Sequence, residues 1–333
     1  MSATMRAVRV RDWGAAPEVE HVPMPRRAEG ETLVRVDAAA VGHLDRTVAG
    51  GEFRMKPTLP YVGGVEGCGR VVASDDLPEG TRVMLRGAGL GLVRDGTWAQ
   101  YVVVPTTSLS PLPEGMSPAV GATFFLPLTT AVTALRTVGR LGSWNDGPEP
   151  TAARDEVVLV AGAAGAVGSM VAQLALRDGA RVLGLVLDRE QAQRLPEGVE
   201  PLVAADDGEQ LSRLAGERPV TLLVDTLGGA GLGERMGWVR AGGRAVAIGY
   251  VAGETAPLDL PNWLLLDVAL LPVNMIRRNR EARALAEQWA PLLVSGQLVL
   301  DVQEFDFAEA GRALDLLGTG QLRGRAVLVP PTD

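Results

Sequence analysis

The chain has 333 residues, of which 47% are hydrophobic and 22% are charged, with a formal net charge of −8 at pH 7. This composition excludes a disordered chain, and the length allows one large domain or two of ordinary size. The sequence contains no run of 18 apolar residues and no cluster of cations. We therefore expect neither a membrane span nor a nucleic-acid partner. Residues 1–10 lack the apolar block of a signal peptide, which favours a cytoplasmic protein.

Residues that commonly bind metals are scarce. Cys68 is the only cysteine, and His21 and His43 are the only histidines. This count excludes a structural zinc site built from several cysteines and a catalytic site built from three histidines. We therefore expect no metal, and we expect catalysis to depend on a bound organic cofactor.

The first 110 residues predict a β-rich domain, because short runs rich in valine alternate with glycine and proline. The predicted strands are Met5–Val10, Thr32–Val41, Gly69–Ala73, Arg82–Leu85 and Ala99–Val104. Residues 119–137 are rich in alanine, leucine and threonine and predict a helix.

From residue 156 onward the pattern changes to alternating strands and helices. Glu156–Ala161 is an apolar run of the kind found in buried parallel strands, and a helical pattern over Val167–Arg177 and a strand at Arg181–Leu187 follow it. This alternation predicts a doubly wound α/β domain. Two further helices, over residues 280–294 and 308–317, and a strand at residues 325–329 end the chain.

The strongest motif is a glycine-rich turn between the first α/β strand and its helix. Gly165 lets the backbone approach a pyrophosphate, and Gly168 lets the helix pack against the strand, while the helix N-terminus offers free N–H groups. We therefore predict a dinucleotide site formed by Gly162, Ala163, Ala164, Gly165, Ala166, Val167 and Gly168.

The end of the next strand distinguishes between cofactors. Asp188 could accept hydrogen bonds from the ribose hydroxyls of NAD, whereas Arg189 could pair with the 2′-phosphate of NADP. A third interpretation needs no ligand: Asp188 caps the following helix and both side chains are solvated.

Taken in order, several segments resemble the medium-chain dehydrogenase/reductase superfamily, and most closely its zinc-free quinone oxidoreductase and enoyl reductase branch. They are residues 63–67, 96–101, 126–131, 225–229, 242–249 and 324–328, together with the glycine turn. The resemblance implies an α/β protein with a GroES-like β-rich catalytic domain, residues 1–122 and 272–333. It also implies a Rossmann doubly wound nucleotide-binding domain, residues 123–271, and a homodimer.

The resemblance further implies site residues. Zinc-dependent relatives place metal ligands at positions that read Gly42 and Val65 here, and neither residue can bind a metal. Asp188 and Arg189 resemble the pair found in enoyl reductases that use NADPH, so NADPH is the expected cofactor. Further cofactor contacts are expected at Thr226, Leu227, Ile248, Gly249 and Tyr250. Catalytic candidates are His43, Asp45, Thr47 and Thr130, and the substrate pocket is expected to include Phe53, Val65, Thr129 and Trp263.

The implied function is zinc-independent, NADPH-dependent reduction of a quinone or of the C=C bond of an α,β-unsaturated carbonyl. Two alternatives remain open at this point. One is a protein that binds NADPH with little turnover, like crystallin and vesicle-associated members of the superfamily. The other is a reductase or dehydrogenase that tailors a larger metabolite.

Overall fold

A computed structural model describes residues 3–145 and 151–331 of the chain. The chain forms two compact units: the first contains the residues up to Phe125 and those from Leu300 onward, and the second contains Leu126–Val299. Among the described residues, no helix combines the length and the apolar character that crossing a membrane requires.

The strands are β1 (Thr4–Val10), β2 (Glu18–Pro23), β3 (Glu31–Val41), β4 (Tyr61–Val62), β5 (Glu66–Ala73), β6 (Arg82–Arg86), β7 (Tyr101–Pro105), β8 (Leu109–Pro111), β9 (Val157–Ala161), β10 (Arg181–Val186), β11 (Glu200–Val203), β12 (Val220–Asp225), β13 (Val239–Ala247), β14 (Ala269–Pro272), β15 (Val302–Asp306) and β16 (Arg325–Val329). The helices are α1 (His43–Ala49), α2 (Pro118–Gly121), α3 (Phe125–Val132), α4 (Ala166–Arg177), α5 (Arg189–Ala192), α6 (Gly208–Glu217), α7 (Leu232–Met236), α8 (Leu260–Leu266), α9 (Asn279–Val294) and α10 (Ala310–Gly318).

The first unit is built from two largely antiparallel sheets. One has three strands in the order β2-β1-β4, and the other has seven, in the order β15-β16-β3-β5-β6-β8 with β7 also paired to β3. Alternate residues of β1 and β3 point into one apolar core, which also contains the fully buried Trp98. The last strand of the chain, β16, pairs with β3, so the C-terminus completes the unit that the N-terminus begins.

The second unit contains a six-stranded sheet in the order β11-β10-β9-β12-β13-β14, and every pair in it is parallel. Val158–Ala161 of β9 and all of β12 are buried, because helices cover both faces of such a sheet. This is the strand order of a Rossmann fold, so the predicted doubly wound α/β domain is confirmed.

The compact units differ from the predicted domain boundaries at the C-terminal side. Residues 272–299 lie in the second unit instead of the first. The physical reason is that β14 pairs with β13, and α9 packs its buried alanines inward while Trp289 stacks with Arg136 at 4.6 Å. The boundary near residue 122 moves by only three residues.

The predicted helix over residues 119–137 consists of separate pieces. α2 begins after the N-cap Ser117, and α3 continues as a π-helical segment over Thr133–Val138. Pro127 is tolerated because it lies in the first turn of α3, where its missing N–H has no intrahelical acceptor to lose.

Candidate functional site

The carboxyl ends of the parallel strands gather most of the predicted cofactor residues. β9 and β12 are neighbours at the point where the strand order reverses, and ligands of doubly wound folds bind at this point. The turn after β9 holds Gly162, and the turn after β12 holds Thr226 and Leu227. A side-chain carbon at Gly162 would lie 2.4 Å from the Thr226 hydroxyl oxygen, so the two turns are in direct contact.

The glycines of the first turn differ in how the structure explains the lack of a side chain. Gly162 has a φ of +78°, a left-handed conformation that favours glycine. A side-chain carbon at Gly168 would lie 2.1 Å from the Gly162 carbonyl oxygen, so close packing of α4 on the turn requires glycine there. Gly165 is exposed, with φ −76° and ψ 162°, which any residue can adopt. Its lack of a side chain is therefore not explained by the backbone conformation.

Among the residues that the structure describes, no side chain caps the N-terminus of α4. Gly165 is the N-cap residue, and the first turn contains no acidic residue. The N–H groups and the positive end of the helix dipole are thus available to an anion. Ala163 is buried, whereas Ala164, Ala166 and Val167 are partly exposed beside this helix end.

A buried ion pair fixes the second turn, and the sequence did not reveal it. Asp225 accepts backbone N–H groups from Leu227 at 2.9 Å and Gly228 at 2.7 Å, and Arg235 donates to its other carboxyl oxygen at 2.5 Å. Arg235 also donates to the carbonyl of Gly228 at 2.7 Å. The available signal was a charged residue at the end of a buried strand that is apolar except for Thr221, since a buried charge needs a partner.

The end of β13 joins the same edge. The N–H of Ile248 donates to the carbonyl of Asp225 at 2.9 Å. A side-chain carbon at Gly249 would lie 2.5 Å from the carbonyl oxygen of Thr226. Tyr250 is 68% exposed. The structure therefore brings the turns after β9, β12 and β13 together and leaves Tyr250 in solvent.

The end of β10 satisfies Asp188 locally. Its carboxylate accepts the backbone N–H of Gln191 at 2.8 Å and caps α5, which is the interpretation that needed no ligand. Arg189 donates from Nε to Asp206 at 2.6 Å, and its side chain is 81% exposed. This partner raises the pKa of Arg189 further above its usual value. Arg189 is thus a charged, accessible group at the strand end.

Three other predicted residues of the second unit have different surroundings. Thr130 is 3% exposed, and its hydroxyl has no hydrogen-bond partner among the described residues. Thr129 is fully buried. The indole N–H of Trp263 donates to the carbonyl of Val268 at 2.8 Å, and its ring packs on the core of this unit. Trp263 therefore has a structural explanation that requires no substrate.

In the first unit, the predicted residues are grouped around a buried carboxyl group. Asp45, 4% exposed, accepts the backbone N–H of Gly42 at 2.8 Å and that of Val65 at 3.0 Å. Next to it, Glu66 accepts a hydrogen bond from Arg325 at 2.8 Å. Burial raises the pKa of Asp45 to about 7, although the N–H of Gly42 acts in the opposite direction.

His43 and Thr47 lie on α1, and Phe53 follows that helix. His43 is exposed, yet partial desolvation of its ring and the nearby Arg325 and Arg46 lower its pKa, so its imidazole is neutral at pH 7. The hydroxyl of Thr47 donates to the carbonyl of His43 at 2.9 Å. Phe53 packs against a small core cluster with Val48 and Tyr61. Within the described part of the chain, no three histidine, cysteine or acidic side chains form a group that could hold a metal ion.

Two family comparisons agree with this architecture. Residues 28–114 match the family described as alcohol dehydrogenase GroES-like domain, and residues 166–290 match the family described as zinc-binding dehydrogenase. The chain belongs to the medium-chain dehydrogenase/reductase superfamily, in its quinone oxidoreductase branch. The family predicted from the sequence is therefore confirmed.

The similarity to individual relatives covers different fractions of the chain. The zinc-type alcohol dehydrogenase-like protein C337.11 of Schizosaccharomyces pombe is 31% identical over 67% of this chain and 66% of its own length. Acrylyl-CoA reductase AcuI of Ruegeria pomeroyi is 29% identical over 90% of both chains. Quinone oxidoreductase of Escherichia coli, whose structure was solved with NADPH, has a TM-score of 0.81 and 20% identity and covers 98% of this chain and 100% of its own.

The glycine geometry predicts unequal costs for two neighbouring substitutions. Gly168→Ala places a carbon inside the contact with the Gly162 carbonyl and should lower the free energy of unfolding by about 1–3 kcal/mol or more. Gly165→Ala meets that oxygen only at 3.3 Å and should cost about 1 kcal/mol or less. Urea denaturation of both variants checks this. Equal losses would show that α4 does not pack as described.

The buried carboxyl group predicts a pH dependence of stability. The pKa of Asp45 is about 7 in the folded protein and 3.8 as its ordinary value, so between these pH values the folded state holds a proton that the unfolded state releases. The free energy of unfolding should therefore fall as pH rises through this interval, by at most about 1.4 kcal/mol per pH unit for this group.

Asp45→Asn should flatten that slope in denaturation at pH 4.5, 5.5 and 6.5. A residual slope of the same sign is expected from Glu66, whose pKa burial also raises. An unchanged slope in the variant would contradict a raised pKa for Asp45.

Proposed function

We propose that the protein is an NADPH-dependent reductase that transfers a hydride to a quinone or to an α,β-unsaturated carbonyl compound, without zinc. The observation that carries the proposal is the exposed glycine turn at the switch point of the parallel sheet, with an uncapped helix end behind it. When bound, the nicotinamide of NADPH supplies the hydride. The protein's own groups bind the cofactor, hold the acceptor and exclude water.

Two features of the second unit support the binding of a dinucleotide. A side chain at the exposed Gly165 would occupy the space in front of the α4 N-terminus, where a pyrophosphate would bind. A second feature is the buried hydroxyl of Thr130, which has no hydrogen-bond partner within residues 3–145 and 151–331. A buried polar group left unpaired costs about 1–3 kcal/mol, and a ligand that pairs with it would remove that cost.

The choice of NADPH rests on Arg189. Its guanidinium group is accessible at the end of β10, where doubly wound folds bind the adenosine ribose. Asp188 already caps α5, which weakens its case as an anchor for the ribose of NAD. The solved complex of Escherichia coli quinone oxidoreductase with NADPH is consistent with this choice.

The proposal that the mechanism needs no zinc rests on residue identity. Gly42 and Val65 carry no ligand atoms, and the Arg325 guanidinium would lie 3.6 Å from a side-chain carbon at residue 42. This guanidinium is already paired with Glu66, so the missing ligand atoms carry the proposal.

Without a metal, the negative charge that develops on a carbonyl oxygen during reduction needs hydrogen-bond donors. In the second unit, the Thr130 hydroxyl is the best candidate, because it has no acceptor among the described residues. In the first unit, a neutral His43 can donate one N–H, whereas the hydroxyl proton of Thr47 already bonds the His43 carbonyl. The name of the relative acrylyl-CoA reductase states an activity on an α,β-unsaturated thioester, which fits the acceptor class.

The proposal predicts oxidation of NADPH in the presence of acceptors from this class. The assay measures NADPH consumption with quinones, enones and enoyl thioesters, before and after dialysis against a chelator. We expect turnover with at least one acceptor class and no loss after dialysis. Tight binding of NADPH without turnover would favour the alternative of a cofactor-binding protein, and zinc-dependent turnover would overturn the metal-free mechanism.

Arg189→Ala tests the 2′-phosphate contact. The variant loses a charge-assisted hydrogen bond to the phosphate, so it should bind NADPH about 10- to 150-fold more weakly and NADH almost unchanged. Arg181→Ala is the matched control, because Arg181 also forms an exposed ion pair, with Glu200, but lies at the opposite end of β10. Equal losses of NADH and NADPH in Arg189→Ala would refute the assignment.

We also propose a homodimer formed through the second unit. β14 is the last strand of its sheet, and the exposed Leu264, Leu265 and Ile276 lie near it in sequence. Light scattering should give a mass near twice 35.0 kDa, reduced by Leu265→Glu but not by Val93→Glu in the first unit. A monomeric parent protein would contradict the dimer. The cytoplasmic location stays a prediction.

A further inference from the structure

We propose that Asp45 is a positioning residue whose carboxyl group holds together two loops of the first unit, in place of a metal. One loop joins β3 to α1 at Gly42, and the other joins β4 to β5 at Val65. These are the two positions at which the resemblance placed the ligands of zinc-dependent relatives. The expected effect on substrate binding rests on the proposed function, whereas the hydrogen bonds that join the two loops do not.

Each oxygen of the Asp45 carboxyl group accepts a hydrogen bond from a different loop. Oδ2 accepts the N–H of Gly42 at 2.8 Å, and Oδ1 accepts the N–H of Val65 at 3.0 Å. Asp45 is 4% exposed, so water cannot readily replace either bond. Because each oxygen serves a different loop, loss of the carboxyl group would leave two backbone donors of two separate segments unpaired.

The carboxyl group is well suited to this place. Asp45 lies in the first turn of α1, where its carboxyl group accepts the backbone N–H of the N-cap residue Gly42. A side-chain carbon at residue 42 would contact Asp45 Oδ2 at 3.5 Å and both terminal nitrogens of Arg325 at 3.6 Å. Gly42 therefore lies between the carboxyl group of Asp45 and the guanidinium of Arg325.

The neighbouring charges hold the second loop from its other side. Arg325 donates to Glu66, which follows Val65 directly, and also to the hydroxyl of Thr123. Arg86 lies 3.9 Å from the other carboxyl oxygen of Glu66. The second loop is thus fixed at Glu66 by cations and at Val65 by Asp45, and of these three side chains of the described chain Asp45 is the one that also bonds the loop at Gly42.

The bridge sets the position of residues that the proposed function uses. Val65 is a predicted substrate-pocket residue, and His43 directly follows Gly42. Loosening the bridge should therefore weaken substrate binding and leave cofactor affinity unchanged, since the glycine turn belongs to the second unit. Asp45 acts through these residues and not on the reacting atoms.

The test compares Asp45→Asn and Asp45→Ala with Asp95→Asn. Asp95 is the matched control, because it accepts the N–H of Val62 at 2.9 Å in the same segment without reaching Gly42. Asparagine offers one acceptor oxygen and turns an N–H₂ group toward the other donor. Hydrogen exchange of single amides, followed by NMR in the full chain, is the main measurement.

We expect the amides of Gly42 and Val65 to exchange at least about tenfold faster in Asp45→Ala, and at least one of them in Asp45→Asn, while Val62 is unchanged. Asp95→Asn should accelerate Val62 alone. Unchanged exchange of both Gly42 and Val65 in the Asp45 variants would overturn the bridge. If neither variant folds, the parent protein decides: the two amides must be protected and share one opening rate, and unequal rates would refute the proposal.

The kinetic readout separates positioning from a general structural effect. In Asp45→Asn we expect KM for the acceptor to rise about tenfold or more, with kcat changed less and the Kd of NADPH unchanged. A fall in kcat alone, with KM unaltered, would contradict positioning. Because amide exchange needs no substrate, its result stands even if the reductase activity proves absent.

Discussion

The contact of Gly168 with the carbonyl oxygen of Gly162 is the constraint on which the candidate cofactor site depends. No side-chain carbon fits there, so α4 can begin directly against the end of β9. This places the uncapped N-terminus of α4 at the carboxyl edge of the parallel sheet. The turns after β12 and β13 close around the same edge through Asp225, which bonds the loop after β12 and pairs with the buried Arg235. Glycine contacts and one ion pair thus shape the edge of the sheet at which we propose that the pyrophosphate of the cofactor binds.

In the first unit, two buried carboxyl groups have different kinds of hydrogen-bond partner. Asp45 and Glu66 are both buried, and the partners of the first are backbone N–H groups, whereas those of the second are arginines. Burying carboxyl groups is costly unless hydrogen bonds or cations compensate them, and here both kinds of compensation are present. The loops that would carry metal ligands in zinc-dependent relatives are therefore held by the chain's own groups.

Periodicity and glycine spacing predicted much of the fold. The apolar run before Gly162 and the helix after it specified β9 and α4, because a fully buried parallel strand and a packed helix leave clear patterns. The place of α9 could not be predicted in this way, because its amphipathic pattern does not identify which unit it packs against. The sequence offered Asp188 as a helix cap among three interpretations without deciding between them, and it did not indicate that the Trp263 indole bonds the carbonyl of Val268.

The candidate site was predicted less completely than the fold. Motif spacing located the turns, but it could not show that Asp225 and Arg235 pair, since Arg235 lies ten positions further along the chain, within the short helix α7. Likewise, Asp45 was interpreted as a catalytic candidate because its place in the chain matched a family segment. Only the structure shows both of its oxygens bonded to backbone groups.

The most direct test of the central claim is a single-turnover measurement of NADPH oxidation by metal-stripped protein, with hydrogen or deuterium at the nicotinamide C4. The account predicts oxidation that requires a quinone or an α,β-unsaturated carbonyl acceptor and that slows severalfold with deuterium, because the transferred group is a hydride. Bound NADPH that no acceptor oxidises, or oxidation that returns only when zinc is added, would contradict it.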